Sequence, residues 1–309
     1  MQTSQNARIG IIGGSGLGNA LLAGGAASSS VVQEVATPFG KPSAPIMLAE
    51  WESGAEKVPI AFLARHGVGH TIPPSAIPVR ANIWALKAVG CRWIIASGAV
   101  GSLREEMAPR QLALVNQFID KTYRRVGTFF DELGGGAVHV ELAEPVCPRL
   151  YAILRDVSRG MNLGQGKVHA RGTYVCMEGP AFSTRAESLM HQHWGGDLIG
   201  MTSMPEAKLA REAEMSYALV ALITDYDCWR PHPGAGQSKQ ALLAEIIGNM
   251  QAATDNALAL VRAAVPEVWA RRNEEFPAHR ALELAIWTDK SLIPAATKKR
   301  LELLWSKYV

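Results

Sequence analysis

The sequence predicts an α/β fold built around one main sheet. Short apolar runs typical of buried strands alternate along the chain with amphipathic segments at helical spacing. Several of these runs end directly in glycine or polar residues, and the ends of strands are where α/β sheets usually bind ligands. No internal repeat or low-complexity linker interrupts the chain before residue 266. We therefore expect one domain over residues 1–265, followed by a different kind of segment over residues 266–309.

The composition is that of a globular protein able to bury a large core. Of 309 residues, 48% are hydrophobic and 19% are charged. The net charge is only +3 and no Lys/Arg run is long enough to make a nucleic-acid footprint, so nucleic acid is not expected as a partner. The four cysteines lie far apart without C-x-x-C spacing, which favours a reducing, cytoplasmic setting. No stretch reaches the ~18 apolar residues of a membrane span, so no membrane contact is expected.

A glycine-rich turn follows the first predicted strand, residues 9–12. The turn, 13–18, contains Ser15 among glycines, and glycines allow backbone N–H groups to point outward while the serine adds a hydroxyl. These groups suit an oxyanion such as phosphate. No G-x-G-x-x-G register fits the glycines and no Walker lysine follows them, which favours a small phosphate over a nucleotide cofactor.

Arg65 and His66 come directly after a predicted strand over 58–63, which we expect to pair with a strand over 46–49. A guanidinium binds phosphate oxygens through two parallel hydrogen bonds, and an imidazole can supply another donor. The pair, with His70 close behind, is therefore a candidate anion site. A surface Arg-His pair is the simpler alternative.

The middle of the chain continues the alternation of elements. A strand over 93–96 runs into small residues at 97–102, where a ligand can approach the backbone closely. The other predicted elements are helices over 80–89, 150–161 and 205–213 and strands over 112–119, 168–176 and 197–202. The last strand ends in the hydroxyl of Thr202.

Residues 177–187 pass from strand through loop to helix. Ser183 or Thr184 is expected to cap this helix, with Glu187 at the reciprocal capping position. Phe182 precedes the cap and is either a hydrophobic staple or an aromatic lid over a flat ligand.

Two carboxylates follow the apolar run 217–223, which is predicted as a buried strand. Residues two apart on an extended chain point to the same side, so Asp225 and Asp227 can converge on one ligand at the strand end. Solvated acids in a plain turn are the alternative. A long helix is predicted over 238–264, and residues 266–309 have the mixed charged and apolar spacing of two or more amphipathic helices.

Taken together, the motifs resemble those of the trimeric purine nucleoside phosphorylase family, in the family's order across residues 8–262. The matching stretches are 10–16, 37–43, 64–67 with 70–71, 81–87, 101–106, 117–120, 178–180, 182–183, 185–188, 201–202, 205–206 and 224–229. The C-terminal segment lies outside this resemblance. The resemblance implies a single-domain purine nucleoside phosphorylase-like fold, with a central mixed β-sheet flanked by helices and an added C-terminal helical tail.

The family's reaction is phosphorolysis, in which phosphate attacks the ribose as the purine leaves. The resemblance implies no cofactor, inorganic phosphate as co-substrate, no metal and a homotrimer. A carboxylate facing the exocyclic group favours a 6-amino purine, since that group is a donor. The expected reaction is cleavage of 5′-methylthioadenosine to adenine and 5-methylthioribose 1-phosphate, and the alternative is a relative preferring inosine, guanosine or methylthioinosine.

The resemblance also assigns roles to individual residues. Asp225 carries the proton for purine N7 and Asp227 accepts from the 6-amino group. Phosphate is held by Ser15, Arg65, His66, the backbone at Ala99, and Thr202. The nucleoside is bound by Phe182, Ser183, Met201, His70, Ala241, Leu242 and, from a neighbouring subunit, His139. Gly98, Ala181 and Gly200 depart from the family pattern, and we expect these changes to alter phosphate contacts or selectivity for the sugar.

Overall fold

The computed structural model describes residues 7–14, 27–53, 56–161, 163, 166–230 and 239–309. Four parallel strands form the centre of the sheet. Strand β1 (Arg8–Gly13) lies between β4 (Glu56–Ala64) and β5 (Cys91–Ser102), and β11 (Ser216–Asp225) pairs along the other edge of β5. Because these strands are parallel, their carboxyl ends meet at one edge of the sheet.

The other strands make the sheet mixed, as expected. They are β2 (Ala27–Gln33), β3 (Ile46–Ser53), β6 (Leu112–Val115), β7 (Gln117–Asp120), β8 (Val168–His169), β9 (Thr173–Cys176) and β10 (Leu198–Gly200). β2, β3 and β4 form an antiparallel meander, and β6 runs antiparallel to β11. β10 runs antiparallel to the last residues of β5, beyond the point where β1 ends, and continues the sheet through β9 to β7.

Five helices accompany the sheet before residue 271, among the residues described. They are α1 (Val79–Ala88), α2 (Pro148–Arg159), α3 (Arg185–His193), α4 (Glu206–Glu212) and α5 (Lys239–Ala270). Two apolar cores lie on the two faces of the sheet. Alternate residues of β5 point into each, with Ile94 and Ala96 in one core and Trp93 and Ile95 in the other. Within the described ranges, no helix is long and apolar enough to cross a membrane.

The C-terminal segment packs on the body of the protein. It holds two short helices, α6 (Ala295–Arg300) and α7 (Glu302–Trp305), together with 3-10 turns at Pro277–Arg280 and Lys290–Leu292. Leu304 and Trp305 are buried in the same core as the sheet. The domain boundary expected after residue 265 falls inside α5, which continues through Pro266 to Ala270.

A buried carboxylate, Glu214, ties this segment to the core. Its oxygens accept from the Tyr308 hydroxyl over 2.6 Å and from the Leu282 backbone N–H over 3.0 Å, and Lys307 Nζ lies 2.5 Å away. A buried charge is tolerated when it is paired and hydrogen-bonded, as here. The segment is therefore joined to the domain by polar contacts as well as by apolar packing.

Two predicted strands are interrupted where their backbones meet. The strand expected over 112–119 breaks at Asn116, and the strand expected over 168–176 breaks before Thr173. The Asn116 N–H donates to the Gly172 carbonyl, and the Gly172 N–H donates to Asn116 Oδ1. A side-chain amide thus replaces one rung of the ladder. Strand β2 was not predicted from the sequence.

Candidate active site

One cavity of about 600 Å³ opens at the carboxyl edge of the parallel strands. The chain at the end of each strand contributes to its wall: Gly14 after β1, Arg65 after β4, Gly98 near the end of β5 and Asp225 at the end of β11. Loops after β9 and β10 and one face of α5 complete the wall. The cavity therefore lies where the strand ends predicted a ligand.

Anion-binding groups meet at one end of this cavity, beside Gly98. A Cβ built on Gly98 would lie 3.4 Å from Thr202 Oγ1 and 4.0 Å from Arg65 Nη1. Ala99, an exposed residue, continues the same wall. The absence of a side chain at position 98 leaves space between a hydroxyl, a guanidinium and backbone N–H groups, which are the groups that hold an oxyanion. Three of the predicted phosphate ligands are thus brought together.

Arg65 is held rigidly by a buried ion pair. Its Nε and Nη2 donate to Glu206 over 2.7 and 2.9 Å, and Nη1 donates to the Ser97 carbonyl over 2.7 Å. Burial opposes the charge of Arg65, but the Glu206 carboxylate outweighs it and holds the pKa above the ordinary value. These bonds use three of the five guanidinium N–H groups, so both Nη atoms keep a donor for a ligand.

His66 and His70 stack on each other at the same end. Their ring centroids are 4.1 Å apart with an interplanar angle of 18°, and both rings line the cavity. His66 Nδ1 lies 2.9 Å from the Ile72 carbonyl oxygen, so the neutral ring donates there and presents Nε2 as an acceptor. Burial lowers the pKa of His66, and the charge of Arg65 adds to this effect. His66 becomes a second donor to a ligand only when its ring takes up a proton.

The paired carboxylates line the same cavity beside Gly101. Asp225 ends β11, and Asp227 follows it in a left-handed conformation with φ of 39°. The Asp227 N–H donates to Asp225 Oδ1 over 2.9 Å, and the Thr224 hydroxyl donates to Asp225 Oδ2 over 2.7 Å. The two acids therefore converge through a tight turn and not, as expected, by alternation along an extended strand.

Gly101 makes this convergence possible. A Cβ at position 101 would lie 3.1 Å from Asp225 Oδ1 and 3.2 Å from the Asp227 Cβ, which is closer than side chains normally approach. Burial raises the pKa of Asp227, and the charges of Asp225 and Glu187 raise it further, while the Ser188 hydroxyl lowers it. Asp227 can therefore hold a proton closer to neutral pH than an exposed aspartate can.

The anion-binding groups and the carboxylates line the same cavity. Gly98 lies beside the anion-binding groups and Gly101 beside the carboxylates, and both glycines lie on β5. Three residues along a strand span about 10 Å. The cavity therefore offers donors to an anion and, about three residues further along β5, acceptors to a polar group.

Tyr174 occupies the space into which a side chain at position 200 would point. A Cβ on Gly200 would overlap the Tyr174 hydroxyl, whose oxygen accepts from the Thr202 N–H over 3.3 Å. Burial raises the pKa of this hydroxyl to about 12, so it stays protonated. Tyr174 therefore replaces a side chain at 200 and supports the segment that carries Thr202. Sequence reasoning missed this pairing because the two residues lie on different strands.

Apolar side chains line the rest of the cavity. Phe182 and Met201 lie in the wall as predicted, although Phe182 is 85% exposed in the single chain. Helix α5 contributes one face at spacings of four residues, through Ile246, Met250 and Thr254. Apolar residues recur on most faces of this helix, so the spacing alone did not single out the face that lines the cavity.

Several predicted site residues lie elsewhere. Ala241 is exposed on the first turns of α5, and the turns that reach the cavity come later in the helix. Ser183 is not among the residues that line the cavity, although its hydroxyl donates to Sδ of Met177, which does line it, over 3.7 Å. His139 packs against Trp287 in a separate cavity of about 440 Å³ near the C-terminal segment. Ser15 and the side chain of Leu242 lie outside the described residues.

Comparison with known proteins assigns most of the chain to one family. The model of the Phosphorylase superfamily matches residues 8–266, which is most of the chain. The chain belongs to the phosphorylase superfamily. The matched range contains all four parallel strands and every residue that lines the main cavity.

Individual relatives are similar over nearly their whole length. The S-methyl-5′-thioadenosine phosphorylase of Thermosynechococcus vestitus is 45% identical over 305 residues, covering 98% of this chain and 99% of that protein. This similarity extends into the C-terminal segment, which was expected to lie outside the resemblance.

Two solved phosphorylases have the same fold. A methylthioadenosine phosphorylase from an Antarctic soil metagenomic library has a TM-score of 0.86 and 43% identity, covering 97% of this chain and 100% of its own. A point mutant of the adenosine/methylthioadenosine phosphorylase of Schistosoma mansoni, in complex with methylthioadenosine, has a TM-score of 0.74 and 34% identity, covering 97% and 98%.

Proposed function

We propose that this member of the phosphorylase superfamily cleaves 5′-methylthioadenosine with phosphate, giving adenine and 5-methylthioribose 1-phosphate. One observation carries the proposal: the anion-binding groups Arg65 and Thr202 and the carboxylate pair Asp225 and Asp227 line one cavity. The names of the relatives that are 45% identical support the same substrate.

Phosphate is held beside the sugar by groups that complement its negative charge. The remaining N–H groups of Arg65, the Thr202 hydroxyl and the backbone at Ala99 donate to its oxygens, and Ser15 and a protonated His66 add further donors. A phosphate oxygen then attacks the anomeric carbon as the bond from that carbon to purine N9 breaks. The bonding electrons leave with the purine, and the transition state carries positive charge on the sugar.

Asp225 makes the purine a better leaving group. Its oxygens accept from Thr224 and Asp227, and a carboxylate retains further lone pairs to hold a proton shared with purine N7. Protonation at N7 neutralises the charge that develops on the departing base. Asp227 accepts from the 6-amino group, which a 6-oxo purine lacks, and this favours adenine over hypoxanthine or guanine.

The wall near the sugar favours a small apolar group at the 5′ position. Ile246 and Met250 of α5 line the cavity together with the stacked ring of His70. A methylthio group buries apolar surface there, whereas the 5′ hydroxyl of an unmodified nucleoside would be buried without a hydrogen-bond partner. Met201 borders the ribose, and Phe182 stacks on the base.

The reaction needs no cofactor, because inorganic phosphate is the second substrate and all proton transfers are assigned to side chains. The working form is a homotrimer in the cytoplasm. The 85% exposure of Phe182, a cavity residue, supports a neighbouring subunit that covers it. His139, on another face of the chain, is the residue proposed to close a neighbour's site.

Chromatographic analysis of products tests the proposal. The protein is incubated with 5′-methylthioadenosine, with and without phosphate, and adenine and the sugar phosphate are quantified. We expect adenine release that requires phosphate, with an equal amount of 5-methylthioribose 1-phosphate. Adenine release without phosphate would indicate hydrolysis and reject the proposal. Faster cleavage of inosine, guanosine or methylthioinosine would support the 6-oxo alternative instead.

A further inference from the structure

Arg125 is a buried arginine that joins two loops of the cavity. Its side chain is only 4% exposed, and it lies outside the cavity wall. Nη1 donates to the Met201 carbonyl over 2.6 Å and to the Met204 carbonyl over 2.8 Å. Nη2 donates to the Glu178 carbonyl over 2.6 Å, with the Met177 carbonyl at 3.5 Å.

These contacts account for every donor of the guanidinium. The Nε–H donates to Glu178 Oε1 over 3.1 Å, so all five N–H groups have an acceptor. The second carboxylate oxygen of Glu178 accepts the backbone N–H groups of Tyr123 and Arg124. The loop that contains Arg125 is therefore fixed to the same carboxylate that Arg125 binds.

The two loops that Arg125 joins carry residues of different parts of the proposed site. Met177, in the loop after β9, and Met201 with Thr202, in the loop after β10, all line the cavity. Both loops follow short strands, of four and three residues, so the sheet alone holds them over a short length. The guanidinium of Arg125 is planar and its donors have fixed directions, so it can set the distance between the two loops. A lysine ammonium has only three donors on a flexible side chain.

We propose that Arg125 is a positioning residue for the reaction: its guanidinium sets the Thr202 hydroxyl at the phosphate relative to Met177 and Met201 at the nucleoside. This inference rests on the proposed function. Arg125 touches neither substrate and acts through the backbone carbonyls that it binds. A displacement of about 1 Å between reacting groups can lower a rate by roughly 10²-fold, so loosening this contact is expected to affect catalysis more than folding.

The test is the kinetics of Arg125→Lys, measured well below its unfolding temperature. We expect kcat/KM to fall by roughly 10²-fold with a raised KM for phosphate. Arg92→Lys is the matched control, because Arg92 is a half-buried arginine that donates to the Arg272 carbonyl at the opposite end of β5. The control should keep kcat/KM within about twofold of wild type.

A double-mutant cycle separates positioning from general destabilisation. If Arg125 acts through Thr202, the substitution Thr202→Val will cost less in the Arg125→Lys background than in wild type. Equal costs in the two backgrounds, or an Arg125→Lys enzyme within about twofold of wild type, would overturn the inference.

Two further measurements keep the inference testable. If Arg125→Lys does not fold, Glu178→Gln weakens the ion pair but leaves the bonds to Met201 and Met204, and we expect about a tenfold loss of kcat/KM. No loss would overturn the inference.

If wild type cleaves no nucleoside with phosphate, the proposed function fails separately. The inference is then judged by calorimetry with inorganic phosphate, where an unchanged Kd in Arg125→Lys would overturn it.

Discussion

Asp227 is the residue on which substrate choice depends in this account. Its carboxylate accepts from a 6-amino group, and the left-handed turn at φ of 39° places it beside Asp225. An asparagine at 227 could donate to a 6-oxo group instead. Every other proposed contact to the sugar and the phosphate would stay the same.

Asp227→Asn is therefore expected to shift specificity more than it lowers activity. We predict that the ratio of kcat/KM for 5′-methylthioadenosine to that for methylthioinosine falls by about 10-fold or more, the scale of one lost polar contact. Asp225→Asn is the matched control, because it removes assistance at N7 and should lower kcat for both nucleosides alike. A ratio that does not move in Asp227→Asn would contradict the assignment.

Residues at strand ends could be predicted from the sequence, but their supporting partners could not. Arg65, Thr202 and Asp225 each follow an apolar run, so their positions at one edge were predictable. Arg125 and Tyr174 hold Thr202 from 77 and 28 residues away in the chain, respectively, and no local pattern specifies such pairs. The turn at Asp227 also escaped prediction, because its φ depends on tertiary contacts.

Helix α4 shows how an element is held by a buried carboxyl group. Glu212, at its end, accepts from the Phe129 N–H and the Thr128 hydroxyl, each over 2.7 Å. Burial nevertheless raises the pKa of Glu212 to about 7, from 4.5 for the exposed group. Between these values the folded chain keeps a proton that the unfolded chain has lost, so this group makes the protein less stable as pH rises.

Glu212→Gln is expected to remove that dependence. The glutamine keeps the size and can accept from Phe129 while donating to Thr128. We predict that, between about pH 5 and 8, the thermal unfolding temperature falls less steeply with rising pH in the variant than in wild type. Glu50→Gln, at an exposed ion pair with Lys57, serves as control and should follow wild type. Parallel curves for wild type and Glu212→Gln would show that Glu212 does not titrate as described.

Apolar runs in the sequence predicted most strands and helices. They did not predict which face of a helix lines the cavity. The run 217–223 predicted the core of β11, and Thr184 with Glu187 predicted the capping box that opens α3. For α5, the apolar pattern runs almost all round the helix, so it could not indicate which turns face the cavity. Ala241 was expected there, and Ile246 and Met250 occupy the wall.

At the scale of the whole molecule, the C-terminal segment belongs to the core. The helices expected from its mixed charged and apolar spacing are present, and they pack on that core. The structure buries Leu304 and Trp305 against the sheet's core and joins Tyr308 to Glu214. The composition of the segment could not indicate which of its apolar residues are buried, since Leu284 and Leu292 remain exposed.

Leu304→Ala is therefore expected to cost about 2–5 kcal/mol of unfolding free energy, the usual loss for a buried leucine. Leu304 is 3% exposed, whereas Leu292 in the same segment is 72% exposed. The matched control Leu292→Ala should change stability by about 0.5 kcal/mol or less. Denaturant unfolding of both variants measures this difference. Equal stability of the two variants would mean that the segment does not contribute to the core. The kcat of the folded Leu304→Ala protein should stay near that of wild type.

The measurement that tests the central claim most directly is the kcat/KM of the wild-type protein, in saturating phosphate, for 5′-methylthioadenosine and for methylthioinosine. The two nucleosides share the sugar and the 5′ group and differ only at position 6 and in the proton on N1, so their ratio tests the proposed contact at Asp227. We predict a preference for the 6-amino nucleoside of about 10²-fold or more. Equal rates, or a preference for the 6-oxo nucleoside, would contradict the account.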